Sequence, residues 1–184
     1  MVLAQFTSVD GKQCLKDFFK VSKNVYPVGR LDFDSEGLLI LTNDTSLNRR
    51  LLLPEFLHER EYLVQADGAI MPEALDELQS GVIINVSGSR YHTKPCKVVL
   101  LNETPVVPDR NPPVRYRKNI PTSWVKLMLT EGKNRQVRKM MASVGFPVLR
   151  LIRTRIEQID LKTMQPGDMI TLSRHTMYSQ LFGK

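Results

Sequence analysis

Apolar and polar positions follow two periods along this chain, alternating in some stretches and recurring every three to four residues in others. Residues 36–43 (EGLLILTN) form an apolar run of strand length closed by the turn-prone pair Asn43-Asp44, which predicts a buried strand. Residues 46–53 suit a short helix stopped by Pro54. Residues 59–67 (EREYLVQAD) predict a strand with Tyr62 and Val64 on one face and Leu63 on the other. Pro72 and Gly81 bracket a helix over 72–80, whose Ala74, Leu75 and Leu78 make a core-facing stripe.

Residues 96–101 (CKVVLL) predict another strand, followed by a proline-rich stretch, 104–121, whose five prolines forbid a continuous helix and favour an extended loop. Over 123–130, Val125, Leu127 and Leu129 alternate with Trp124, Lys126, Met128 and Thr130, as in a strand with an apolar inner face. The clearest helix is 134–145, with Val137, Met140, Met141 and Val144 at i, i+3, i+4 and i+7 and Gly145 and Pro147 as stops. Arg138 lies about 100° around that helix from Val137, at the border of the apolar stripe. Strands are expected over 148–156 and near 168–172. The mixture is α+β, with hairpin-like spacing that favours a mostly antiparallel sheet with flanking helices.

Composition adds a partner class. The chain carries a net charge of +7, and three clusters of basic residues stand out: Arg110, Arg115, Arg117 and Lys118; Lys133, Arg135, Arg138 and Lys139; Arg150, Arg153 and Arg155. The part up to about Asn85 carries most of the acids. One-sided charge of this kind suits a polyanion such as nucleic acid, though a solvated basic surface would look the same. No apolar run approaches the roughly 20 residues that span a bilayer, so no membrane partner is expected. No basic-then-apolar leader signals secretion. Cys14 and Cys96 match no metal or redox spacing, and a reducing, cytoplasmic compartment is expected.

Chemistry concentrates in GRLDFDSEGLLILTND (29–44), where Asp32, Asp34 and Glu36 alternate. A calcium loop counted from Asp32 needs a glutamate at its twelfth position, and that position is Asn43. An Asp-x-Asp pair holding a divalent ion, a glycosidase pair and a plain charged turn all stay open on these residues alone.

The stretch resembles the signature of the pseudouridine synthases of the ribosomal-subunit family, whose catalytic aspartate closes Gly-Arg-Leu-Asp, here Asp32. The resemblance continues in EREYLV (59–64), where the family's active-site tyrosine matches Tyr62. EGKNRQVRKM (131–140) matches the family's basic residue beside the aspartate at Arg138, and FPVLRLIRTRI (146–156) matches its pocket leucine at Leu151. Arg30 matches the arginine that enters the gap left by the flipped nucleotide. The stretch 110–124 is most similar to the large-subunit branch, which lacks an S4 RNA-binding domain.

The resemblance implies the pseudouridine synthase fold, with a central cleft in a single catalytic domain of residues 1–184. That domain has room for two subdomains, about 1–65 with parts of the C-terminal end and about 66–160. It further implies isomerisation of a uridine in 23S ribosomal RNA by a monomer, with no cofactor and no metal. The basic clusters then become the RNA-holding surface, with Arg115, Arg117, Lys133 and Arg135 as substrate contacts. Relatives begin with a strand ending in Asn-Lys-Pro ahead of the Gln-Phe-Thr seen here at Gln5–Thr7. Most of that strand is missing here, which leaves two expectations open: a truncated start or a differently built sheet edge. The rival readings are a non-catalytic RNA-binding protein, which has no need of Asp32, and a metal-dependent enzyme using Asp32 and Asp34.

Overall fold

The fold is known from a computed structural model that describes residues 1–114 and 117–183. In chain order the strands are β1 (Tyr26–Pro27), β2 (Glu36–Gly37), β3 (Leu41–Thr42), β4 (Arg60–Asp67), β5 (Ile83–Val86), β6 (Ser89–His92), β7 (Lys97–Leu100), β8 (Thr122–Leu129), β9 (Val148–Ile156) and β10 (Ile159–Asp160). The helices are α1 (Thr45–Leu52), α2 (Pro72–Ser80), α3 (Gln136–Ser143) and α4 (Arg174–Phe182).

The main sheet runs β10-β9-β4-β8-β7, all antiparallel, and β2 adds to β9 in parallel. Its two faces follow the alternation of the central strands. Val64 and Ala66 of β4, Val125, Leu127 and Leu129 of β8 and Leu151 of β9 bury one face against Ala74 and Leu78 of α2 and Val137, Met140 and Met141 of α3. Leu63, Trp124 and Ile152 occupy the other face, packed against Leu101, Val107 and Leu161. A further cluster holds Val28, Leu38, Ile40, Leu47, Leu51, Ile156, Ile159 and Leu181. Each fully buried aliphatic side chain contributes about 2 kcal/mol, whereas an exposed pair such as Arg117–Asp67 contributes about 0–1 kcal/mol. Packing therefore dominates the hold on this fold.

Four departures from the sequence pattern have physical causes. The run 36–43 is not one strand: Glu36–Gly37 pairs with β9, Leu41–Thr42 pairs with β1, and Leu38 and Ile40 between them sink into the further cluster. Residues 168–172 form no strand, and Met169 and Ile170 stand exposed. The chain forms α4 instead, capped by the Ser173 side chain, which accepts from the Thr176 amide at 3.1 Å. Residues 83–92 form a hairpin around Ser87-Gly88, both at positive φ, the geometry of a two-residue turn that suits strand twist. Helix α3 begins only at Gln136, because Arg135 sits at φ 53° and cannot be helical.

At the N-terminal end, Leu3 bridges Cys14 in isolation, and a short 3-10 turn follows at Leu15–Asp17. Among the described residues, no helix is long and apolar enough to cross a membrane.

Candidate active site

A cleft of about 390 Å³ opens where the cluster under α2 and α3 meets the one under α1 and α4, lined by Leu129, Val137 and Leu151 from the first and Val28, Leu51 and Ile156 from the second. That volume falls in the range of ordinary small-ligand pockets. One wall is the loop 28–35, pinned at its ends by main-chain hydrogen bonds from Val28 to Ile40 (2.8 Å) and from Leu38 to Arg153 (2.8 Å). Gly37 makes the second bond possible. Its φ is 104°, and a Cβ there would collide with the Arg153 backbone, so only glycine lets the loop lie flat on β9.

The alternating acids of this loop have different partners. Glu36 receives Arg150 through two bonds (2.9 and 2.8 Å) and Arg110 at 3.2 Å. Asp34 receives a two-pronged grip from Arg135 (3.0 and 2.9 Å), and Arg138 Nε lies 3.4 Å from its Oδ2. The Arg135 hydrogen bond is the main reason that the Asp34 carboxyl titrates below its ordinary range, with partial burial opposing. Asp32 differs. Its ion-pair partner among the described residues is Arg135 Nη1, at 3.7 Å, and its carboxylate lines the cleft with about a third of its side-chain surface exposed.

The floor comes from β4 and β9. Two bulges interrupt their pairing, and between them Tyr62 faces Arg153 while Val64 faces Leu151. Tyr62, Leu151 and Arg153 all line the cleft. The opposite wall is the turn Glu131–Arg135. Buried Glu131 accepts from the Tyr91 hydroxyl, the Lys94 amide (3.0 Å) and the Gln136 side chain. Gln136 in turn accepts from the Lys133 amide at 2.8 Å, so the turn is held from within. The hydrogen bond to Glu131 pushes the Tyr91 phenol up to about 12.

Asp32, Tyr62, Arg30, Leu151, Lys133 and Arg135, singled out from sequence, thus share one cleft. Arg138 does not line it. Its guanidinium is half-buried beneath the aspartate loop, donating to the Asp34 carbonyl at 2.7 Å, and it forms no ion pair with Asp32 among the described residues. Helix α3 starts late, so Arg135 rather than Arg138 reaches over the loop. Arg117 lies outside the cleft, paired with Asp67 at 2.9 Å, and Arg115 falls outside the described residues.

The third basic cluster is not a surface. Arg150 and Arg153 are 7% and 5% exposed, and Arg155 is held by Glu59 and Glu61. Burial on both faces of a central strand explains this, and each arginine bonds at least one acid or carbonyl from a distant segment. Sequence reasoning missed His58, Arg60 and Arg153 in the cleft lining; Arg153 was visible only as one of several basic residues in an alternating strand. Among the described residues, no three His, Cys, Asp or Glu side chains converge as a metal site.

Comparison with known proteins decides the family. The family model described as RNA pseudouridylate synthase matches residues 10–143. The chain belongs to the RNA pseudouridylate synthase family. It is 46% identical to ribosomal large subunit pseudouridine synthase E of Vibrio parahaemolyticus over 90% of this chain and 67% of that protein. It is 44% identical to the enzyme of the same name from Xanthomonas axonopodis, over 90% of this chain and 85% of the relative. A crystal structure of a pseudouridylate synthase superposes with a TM-score of 0.78 at 23% identity, covering 98% of this chain and 69% of that one, which establishes the shared fold. As an RNA pseudouridylate synthase the chain is an isomerase acting on RNA: a uridine's N1–C1′ bond is exchanged for a C5–C1′ bond within the same nucleotide.

Proposed function

We propose that this enzyme isomerises a uridine of 23S ribosomal RNA, with Asp32 acting at C1′ of a nucleotide turned out of its stack into the cleft. The observation that carries the reading is the contrast among three neighbouring acids. Asp34 and Glu36 are consumed by arginines that anchor the loop, and Asp32 keeps a carboxylate at the cleft beside Tyr62 and Leu151. The names of the relatives at 43–46% identity point to the large subunit.

Unstacking the base costs a few kcal/mol and is offset in the pocket. The Tyr62 ring gives the uracil a flat platform and Leu151 an apolar neighbour. Asp32 meets the positive charge that develops at C1′ as the N1–C1′ bond breaks, as nucleophile or as counter-charge. Arg135 Nη1 stands 3.7 Å from that carboxylate. Arg138 acts one step removed, holding the loop through Asp34. Arg30, exposed at the rim, suits the space that the flipped nucleotide vacates, while Lys133 and Arg135 at the opposite wall suit the flanking phosphates. Arg117, exposed and paired with Asp67, would meet RNA beyond the cleft. Action as a monomer is part of this proposal.

The test joins two measurements. Pseudouridines in ribosomal RNA from cells lacking the protein should be missing at one 23S position, and a loss confined to 16S RNA would overturn the target. The purified enzyme should release tritium from 23S transcripts labelled at uridine C5, with Asp32→Asn slower by more than about 100-fold. Parent-like release by that variant would remove Asp32 from the chemistry.

A further inference from the structure

Arg153 occupies an unusual place for an arginine. It lies on the central strand β9, 5% exposed, and its Nε donates to the Leu38 carbonyl at 2.8 Å. Its Nη2 is buried with no hydrogen-bond partner among the described residues. A merely structural core arginine would satisfy its donors with carbonyls or acids, as Arg150 does with Glu36 and the Pro108 carbonyl. Arg153 instead lines the cleft directly across from Tyr62.

The bulge creates that pairing. Glu61 faces Arg155, but the next residue, Tyr62, faces Arg153, so Thr154 is the extra residue on β9. In unbroken register Tyr62 would face Thr154. Directly paired residues of antiparallel strands point to the same side, which puts the guanidinium and the phenol together on the cleft floor. The Tyr62 hydroxyl supports the guanidinium's charge against the burial that disfavours it.

We infer that Arg153 is a positioning residue that sets the direction of the Tyr62 hydroxyl proton, so that Tyr62 donates a hydrogen bond to a carbonyl oxygen of the displaced uracil. A guanidinium has five donors and no acceptor, so a phenol oxygen that engages it can only accept. The single phenol proton is then left to point into the cleft. When the N1–C1′ bond breaks, its electron pair departs with the base, and the negative charge spreads onto the carbonyl oxygens. A fixed donor aimed at one of them stabilises the detached anion while it turns. The C5–C1′ bond then forms, C5 loses its proton and N1 gains one, so the reaction stays a net isomerisation. The inference rests on the function proposed above and adds a role for Tyr62 beyond stacking.

A mutant cycle on tritium-labelled 23S transcript tests it. Tyr62→Phe keeps the ring and removes the hydroxyl, and kcat should fall about 100-fold with KM within about twofold. Arg153→Met should lower kcat at least about tenfold, and Arg153→Lys, a donor-only cation, should restore most of it. In the Tyr62→Phe background, neither substitution at Arg153 should lower kcat further, because the hydroxyl they act through is gone. Multiplying effects, or an equal rescue by lysine in both backgrounds, would overturn the inference. If Arg153→Met fails to fold, Arg153→Gln takes its place in the cycle, because its amide can accept as well as donate and no longer fixes the phenol proton. A parent enzyme that releases no tritium from any ribosomal RNA would instead sink the proposed function.

Discussion

At the scale of single residues, the aspartate loop is determined by what its neighbours hold. Asp32, Asp34 and Glu36 are indistinguishable as a sequence pattern. They separate only because Arg135, Arg138, Arg150 and Arg110 converge on two of them from positions more than 70 residues away. Gly37 has a comparable role through absence of a side chain. Gly37→Ala would place a Cβ against the Arg153 backbone at a φ of 104°, costing about 2 kcal/mol and about 6 °C of Tm. Because the loop must lift off β9, isomerisation should fall more than folding does. A variant with parent-like tritium release and Tm would show that the close approach of loop and strand is dispensable.

At the scale of elements, the wall 131–135 depends on one buried carboxylate. Glu131 organises Tyr91, Lys94 and Gln136, and a hairpin that the apolar pattern did not announce, β5–β6, delivers Tyr91 to it. The Tyr91 phenol is raised from 10.0 to about 12, first by the hydrogen bond to Glu131. A raised tyrosine favours the neutral form in the folded state, so its stabilising effect is complete below pH 10 and is lost as pH rises through about 12. Chemical unfolding followed between these pH values should show stability declining in the parent, and the decline should be smaller in Tyr91→Phe. Equal slopes would mean that Tyr91 does not titrate with folding. The strands 59–67 and 123–130 and the helix 72–80 were legible because packing acts on them through a single strong period. The hairpin and α4 were not, because Val82, Ile83 and Ile84 run together without clean alternation and the apolar residues of α4, Met177, Tyr178, Leu181 and Phe182, are confined to its later part.

At the scale of the whole molecule, the cleft lies at a seam between two apolar clusters, and its charge is not the sum of the basic runs in the sequence. Arg150, Arg153 and Arg155 are internal or paired, whereas Arg30 and Lys133 are exposed at the cleft. RNA affinity should therefore respond to the exposed set alone. Lys133→Ala should weaken binding to 23S transcript across salt concentrations and reduce the slope of log K against log salt by about 1. Arg155→Met should leave that slope unchanged. A reduced slope for Arg155→Met would return the third cluster to the RNA surface.

The sequence by itself determined the central strands, three of the helices (α1, α2 and α3), and the motifs that carry Asp32, Tyr62 and Leu151, since local periodicity and contiguous motifs survive in one dimension. Tertiary structure alone decided which acid stays at the cleft, that Arg135 rather than Arg138 comes within ion-pair distance of Asp32, and that Arg153 stands opposite Tyr62. Those outcomes depend on a left-handed residue, a bulge and contacts between segments about 90 to 115 residues apart. A single inserted residue in a ladder changes which side chains meet, and no local pattern records it.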